Sequence, residues 1–235
     1  MDYQFIWECI KVALKYTPIT LYLSLTAFSL GLIFGLPIAL IRFYKVPFWG
    51  RVFEWLVNLS NSIPLLLTLT IVYLVTIPAV PIIGHLFGQD WQFSQFPREW
   101  IAIIVLGLFA INYVSEAIRA SIQSVPILQW EAAASVGLSQ RQTLFRIILP
   151  QAFKASIPVF GNIITSLIKG SALVSAVSVV DLLNAVLIAS QINYKYLEAY
   201  IAAAIVYWGI CLLVTYVFRR LSQLSFHGGF SHDYH

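Results

Sequence analysis

Lys169 stands with Gly170 and Ser171 in the middle of a long apolar stretch, with Ser175 and Ser178 just beyond it. An ammonium group surrounded by apolar residues is costly. It either lines a polar path or finds relief by snorkelling outward or pairing with a carboxylate such as Asp181. Gly170 and the serines suggest a local break or a tight helix contact, tolerated in lipid only where protein or a water-filled cavity surrounds the backbone. Glu116 and Arg119 lie three residues apart near the end of another apolar run, on one helix face, where pairing is structural rather than catalytic. A third run opens with Asn58, Ser60, Asn61, Ser62 and Pro64, a patch that lines or gates a path or is simply a polar, proline-marked helix start. Asn112 and Ser115 are similar candidates. None of these groups forms a catalytic constellation. His85 and Asp90 are an isolated pair, and His227, His232 and His235 fall in a glycine-containing tail. Cys9 and Cys211 lie near opposite ends without a CxxC and read as packed or lipid-facing thiols. No metal site and no G-x-x-x-x-G-K-[ST] phosphate loop is present in the sequence, so the chain is not expected to bind nucleotide in the usual way or to need a cofactor. The chemistry on offer is binding and passage.

The elements holding these residues must lie in lipid. Of the 235 residues, 60% are hydrophobic and only 10% charged, whereas soluble domains are about 45–50% apolar and about 25% charged. A mean hydropathy of +0.83 excludes a soluble enzyme, a nucleic-acid-binding domain and a disordered chain. A spanning helix needs about 20 mostly apolar residues, and five segments qualify, at roughly 17–41, 56–78, 101–123, 155–180 and 199–218. They are continuous apolar runs without strict alternation, unlike barrel strands. Residues 1–16 carry Asp2, Glu8, Lys11 and Lys15 with no small-residue cleavage site. They read as an amphipathic interfacial helix rather than a signal peptide, with Phe5, Trp7, Leu14 and Tyr16 suited to the headgroup zone. Trp91 and Trp100 in the loop 79–100 look like interface anchors. Gly31-x3-Gly35 is a small-residue packing motif. Nine basic residues fall on one side (Arg42, Lys45, Arg51, Arg119, Arg141, Arg146, Lys154, Arg219, Arg220) and four on the other (Lys11, Lys15, Arg98, Lys195). The richer side is expected to be cytoplasmic, which puts the N-terminus outside and the C-terminus inside. Residues 223–235 are expected to be a flexible tail.

One loop is more organised than a connection requires. Residues 124–153 read SVPILQWEAAASVGLSQRQTLFRIILPQAF. Pro126 suits a first helical turn, helix formers run from Ile127 to Val136, and Gly137 stands where a left-handed C-cap would fall. Ser139 and Gln142 have capping-box spacing, so a second helix is expected from there. Pro150 should interrupt or kink it near the return to the membrane. The product is a helix–glycine turn–helix on the cytoplasmic face. It either rests on lipid headgroups or docks a cytoplasmic partner, where Ala132, Ala133, Ala134 and Gly137 permit close approach.

The stretch Glu131-Ala132-Ala133, then Gly137, then Ile147-x-Leu149-Pro150 resembles the EAA loop, E-A-A-x3-G-x9-I-x-L-P, of permease subunits of binding-protein-dependent ABC importers. Glu116-x2-Arg119, Ile122-Gln123-Ser124-Val125-Pro126, Gln129-Trp130 and Leu149-Pro150-Gln151-Ala152 extend the resemblance toward the polar amino-acid branch, as do Pro158, Gly161-Asn162 and Ser166-Leu167-Ile168-Lys169. It covers roughly 17–222, the expected permease domain. The resemblance implies an all-α, polytopic membrane protein with five transmembrane helices, the type I ABC importer (MetI-like) permease fold. It also implies a bacterial cytoplasmic membrane location and the role of a transport subunit rather than an enzyme. The implied partners are a second permease subunit, identical or homologous, a cytoplasmic ATPase dimer that holds ATP and Mg, and an extracytoplasmic substrate-binding protein. Glu131, Ala132, Ala133, Gly137, Leu149 and Pro150 would then couple to the ATPase. Asn61, Ser62, Asn112, Ser115, Glu116, Lys169 and Ser171 are the candidates for the substrate path. Two positions depart from relatives: Lys169-Gly170-Ser171-Ala172-Leu173 stands where a K-[DN]-T-S-L-like segment is usual, and Ser60-Asn61-Ser62-Ile63-Pro64 where F-R-G-T-P is. Substrate contacts carried by those missing side chains do not transfer. The few, mostly neutral polar groups suit a zwitterion, which agrees with a polar amino acid. A permease for another small polar solute and an ion-gradient-driven secondary transporter remain alternatives, although no internal repeat of the kind usual in the latter is apparent.

Overall fold

The computed structural model describes residues 1–227, with side chains through residue 224. Among the described residues there is no strand. The helices are α1 (Tyr3–Phe43), α2 (Trp49–Ser62), α3 (Leu65–Leu86), α4 (Glu99–Ser124), α5 (Ile127–Ser135), α6 (Gln140–Thr143), α7 (Leu149–Gly170), α8 (Leu182–Ser190) and α9 (Tyr196–His227). Five stretches of the described residues are long and apolar enough to cross a membrane: α1, α3, α4, the run Gln140–Val177 that contains α7, and Tyr196–Leu224. α9 continues into the expected tail as far as His227. The tail histidines His232 and His235 lie outside the described residues.

α1, α4, α7 and α9 form the centre of the bundle. Leu23, Ala27, Leu106, Ala110, Val114, Ile118, Ile164 and Ile168 are buried between them. With lipid rather than water outside, apolar burial alone does not hold such helices together, so close backbone packing must. The Gly31-x3-Gly35 motif supplies it as expected. A Cβ on Gly31 would stand 2.9 Å from Ala110 Cβ, and one on Gly35 would stand 3.0 Å from the Ile111 carbonyl oxygen. Because backbone cannot yield as a side-chain tip can, Gly31→Leu should cost about 1–3 kcal/mol. It should lower the melting temperature in detergent, while Gly209→Ala, where a Cβ meets nothing within 4 Å, should not.

In the placement of the long helices and their connections the structure departs from the sequence reading in three places. Residues 1–16 are not a separate element: α1 is one helix from Tyr3 to Phe43, about 60 Å long and longer than the ~30 Å hydrocarbon layer. Its first turns are held by protein, since Ile6, Cys9 and Ala13 pack against Leu182, Val186, Ala199, Ala202 and Ala203 of α8 and α9. Asp2 caps α1 and pairs with Lys195 at 2.6 Å, and that ammonium holds the Asp2 carboxyl below its ordinary pKa. Secondly, the span expected at 56–78 is divided. Pro64 has no N–H to give and disfavours helical geometry at the residue before it, so Ile63 is extended (φ −102°, ψ 126°) and α2 stops there. Thirdly, a short helix, α8, intervenes between the last two spans, capped by Asp181 through Asn184 N–H at 3.0 Å.

Candidate functional site

The α2–α3 break lies inside the membrane. Asn112, halfway along α4, donates from Nδ2 to Ser60 Oγ at 2.6 Å, which fixes the end of α2 at the depth of the middle of α4. Beside the break is a cavity of about 410 Å³ lined by Asn61, Ser62, Ile63, Pro64, Phe109, Tyr113 and Ser166, with Leu65, Leu106, Ile163 and Leu167. The carbonyl end of α2 and the amide end of α3 both terminate at its wall. The first helical N–H groups of α3 have no intrahelical acceptor. The two ends present partial charges of opposite sign, the arrangement that broken helices in transporters offer to solutes at the membrane midplane.

The path candidates fall into three groups. Asn61 and Ser62 line this cavity, and Asn112 braces its wall through Ser60. Ser115 and Glu116 are turned instead toward the end of α1. Arg42 Nη1 donates to Glu116 Oε2 at 2.7 Å and stands 3.4 Å from Ser115 Oγ. Arg119 donates to the same carboxylate through Nε (3.2 Å) and Nη2 (2.9 Å). The expected Glu116–Arg119 pair is thus present, within a cluster that ties α1 to α4. Lys169 and Ser171 separate. Ser171 is fully buried and donates to the Ile168 carbonyl at 2.9 Å. The Lys169 side chain is exposed and has no hydrogen bond or ion pair among the described residues. The Lys169–Asp181 pairing does not form, because Asp181 is buried as the cap of α8 and accepts from Tyr207 Oη at 2.9 Å. Lys169 shares an exposed face of α7 with Asn162 and Ser166 at helical spacing. A polar stripe on a membrane-spanning helix must face a cavity or another protein surface.

At the end of the bundle shared by the α1 and α4 C-termini, the helix–turn–helix forms as its capping residues dictate. α5 starts directly after Pro126. It ends in a Schellman arrangement, with Gly137 N–H donating to the Ala134 carbonyl at 3.0 Å, Leu138 N–H to the Ala133 carbonyl at 3.1 Å, and Gly137 at φ +81°. Ser139 and Gln142 make both bonds of the capping box. The interruption expected at Pro150 takes the form of a π-helical turn over Leu144–Ile148. Pro150 itself sits near the start of α7, where a missing N–H is tolerated, so the helix passes through without leaving the chain's course. Trp130 stacks on Phe43 (ring centroids 6.2 Å apart, planes at 20°), seating α5 on the end of α1. Ala133 faces this seat, only 2% exposed, while Ile127, Leu128 and Val136 are 67–74% exposed. Glu131, Ala132 and Gly137 are also exposed. Leu149 packs on the main core and Pro150 is exposed at the start of α7. Sequence reasoning missed Tyr113, Phe109 and Ser166 as cavity residues. The one available signal was the helical spacing of Phe109 and Tyr113, four apart on the face next to Asn112.

Comparison with known proteins agrees with this architecture. The family model for the binding-protein-dependent transport system inner membrane component matches residues 30–225. The L-cystine transport system permease protein TcyB of Bacillus subtilis is 37% identical over 219 residues, covering 91% of this chain and 85% of that protein. The nopaline transport system permease protein NocM of Agrobacterium fabrum is 31% identical over 229 residues, covering 96% and 90%. A crystal structure of an amino acid ABC transporter with histidines superposes with a TM-score of 0.80 at 27% identity, covering 95% of this chain and 98% of that one. An inward-facing methionine ABC transporter superposes with a TM-score of 0.72 at 18% identity, covering 96% and 99%, a likeness of fold.

Proposed function

The chain belongs to the binding-protein-dependent transport system inner membrane component family, and we propose that this permease subunit passes a polar amino acid or close derivative through the cavity at the α2–α3 break. It is a transport subunit of an ABC importer in the inner membrane, and ATP hydrolysis resides on a separate subunit. The observation that carries the substrate reading is the cavity itself. The α3 amide end suits a carboxylate, the α2 carbonyl end suits an ammonium, and Asn61, Ser62, Tyr113 and Ser166 add neutral hydrogen-bonding groups. Among the described residues no fixed charge lines it, which suits a solute carrying both signs better than a strongly anionic or cationic one. The relatives' names, for cystine, nopaline and arginine systems, point to the same class.

In this reading the Asn162–Ser166–Lys169 stripe faces a second permease subunit, identical or homologous, and the path runs between the two. The exposed face of α5 (Glu131, Ala132, Val136) seats in a cytoplasmic ATPase dimer, which holds ATP and Mg. Ala133, Leu149 and Pro150 hold α5 and α7 in place for that contact. An extracytoplasmic binding protein delivers the solute at the opposite face. The nine-to-four bias of basic residues puts α5 in the cytoplasm, the N-terminus outside and the C-terminus inside. Alternating access follows from differential binding: closure of the ATPase dimer on ATP displaces α5, and Trp130 on Phe43 passes that displacement to α1. The test is uptake of a labelled panel of amino acids, organic cations and sugars into proteoliposomes containing the assembled transporter and its binding protein. Amino acids alone should accumulate; accumulation of another class would overturn the substrate reading.

A further inference from the structure

Where α1 ends and α2 begins, the chain encloses a second cavity, of about 500 Å³, lined by Arg42, Lys45, Arg51 and Arg119, with Glu54 the acidic residue of its wall. Arg42 and Arg119 also hold Glu116. The side chains of Lys45 and Arg51 are exposed and make no ion pair or hydrogen bond among the described residues. The Arg42 side chain is only 5% exposed, yet its Nε–H is buried without an acceptor. Four cationic groups against one carboxylate in the lining suit the cavity to an anion with several acceptor oxygens. The depth of the cavity says which anion. Phe48, Trp49 and Trp55 lie in the first half of α2 and at its cap and are 68%, 54% and 63% exposed, and aromatic clusters with tryptophan are enriched at headgroup level in membrane proteins. Phosphate diesters of phospholipids lie at that level, and basic pockets between membrane helices take anionic headgroups.

We propose that this cavity binds the phosphate headgroup of an anionic phospholipid, with Arg42, Lys45 and Arg51 as its ligands and the glycerol and acyl chains running out past Phe48. The site is separate from the α2–α3 cavity and independent of which solute is carried. A bound headgroup would brace the α1–α2 turn beside the Arg42–Glu116–Arg119 cluster.

The test titrates the full-length protein in detergent, with its co-purified ATPase subunit retained and after that subunit is stripped, reading thermal stability. The probes are short-chain phosphatidylglycerol, short-chain phosphatidylcholine and inorganic phosphate. Phosphatidylglycerol should raise the melting temperature saturably in both preparations. Phosphatidylcholine should not, and inorganic phosphate should need at least a hundredfold higher concentration. The double variant Lys45→Gln/Arg51→Gln should raise the half-saturating concentration of phosphatidylglycerol at least tenfold. Both side chains are exposed and unpaired, so its melting temperature without lipid should match the parent. Arg141→Gln/Arg146→Gln, on the same membrane face but outside the cavity, should leave the titration unchanged. An equal response to phosphatidylcholine, an unchanged titration in the cavity variant, or an equal loss in the Arg141/Arg146 variant would overturn the proposal. Inorganic phosphate acting at the lipid's concentration would make this a free-anion site. A lipid response seen only after stripping would make it part of the ATPase interface.

Discussion

Ala132→Trp should leave the permease folded and in the membrane while ATP-driven uptake falls by about 5- to 150-fold, the range of a coupling free energy of about 1–3 kcal/mol. Ala132 is exposed on α5, so an added ring displaces nothing within the subunit and obstructs only what docks there. Glu131→Lys should act in the same direction by reversing a charge on the same face. Ala133→Trp is the contrasting case. Ala133 is 2% exposed against the seat of α5, and its carbonyl accepts the Leu138 N–H of the helix stop. This variant should lose folded protein as well as uptake. Measuring uptake, ATPase activity and membrane abundance together separates the two outcomes. Equal behaviour of Ala132→Trp and Ala133→Trp would mean that α5 has no docking face.

Ser62→Trp should stop transport by filling the cavity at the α2–α3 break, cutting uptake by about tenfold or more, at least about 1.4 kcal/mol at the limiting step. Among the described residues the Ser62 side chain bonds only the Asn58 carbonyl of its own helix, at 2.8 Å, so its removal leaves no distant partner there unsatisfied. Pro64→Ala acts on the same feature through the backbone. It restores an N–H and releases Ile63 from the constraint a following proline imposes, so α2 and α3 can join into one helix across the cavity wall. Both variants should keep ATPase activity, because neither touches α5. A Ser62→Trp transporter with unaltered uptake would place the solute path elsewhere.

The parts legible from the sequence were those whose physics is local. A left-handed glycine after α5, the Ser139–Gln142 box and the Gly31–Gly35 spacing each depend on a few neighbouring residues, and each forms as read. The five spans were legible because the bilayer demands a length of apolar chain that little else imitates. What escaped depended on distant contacts. Glu116 was matched to Arg119, three residues away, but its shortest ion pair is with Arg42, 74 residues away. Asp181 was a possible partner for Lys169, yet Tyr207 and the start of α8 claim it, and α8 itself gave no signal because its nine residues fall within an apolar stretch. The stretch 56–78 reads as one span because hydropathy runs unbroken through a proline that divides the helix. Pro64 marks a helix start in the sequence, but its depth in the membrane follows only from the Asn112–Ser60 contact. Tyr113 and Ser166 are ordinary residues until α4 and α7 bring them to the same wall.

In the proposed function, energy reaches the path from ATP through α5 and not from an ion gradient. The measurement is accumulation of a labelled amino acid in sealed proteoliposomes containing the assembled transporter and its binding protein, with ATP supplied on the α5 side and proton and sodium gradients collapsed by ionophores. Accumulation should persist with ATP, vanish without ATP or without the binding protein, and be lost in Ala132→Trp. Accumulation that ignores ATP and disappears when the gradients collapse would make the chain a gradient-driven transporter and overturn coupling through α5.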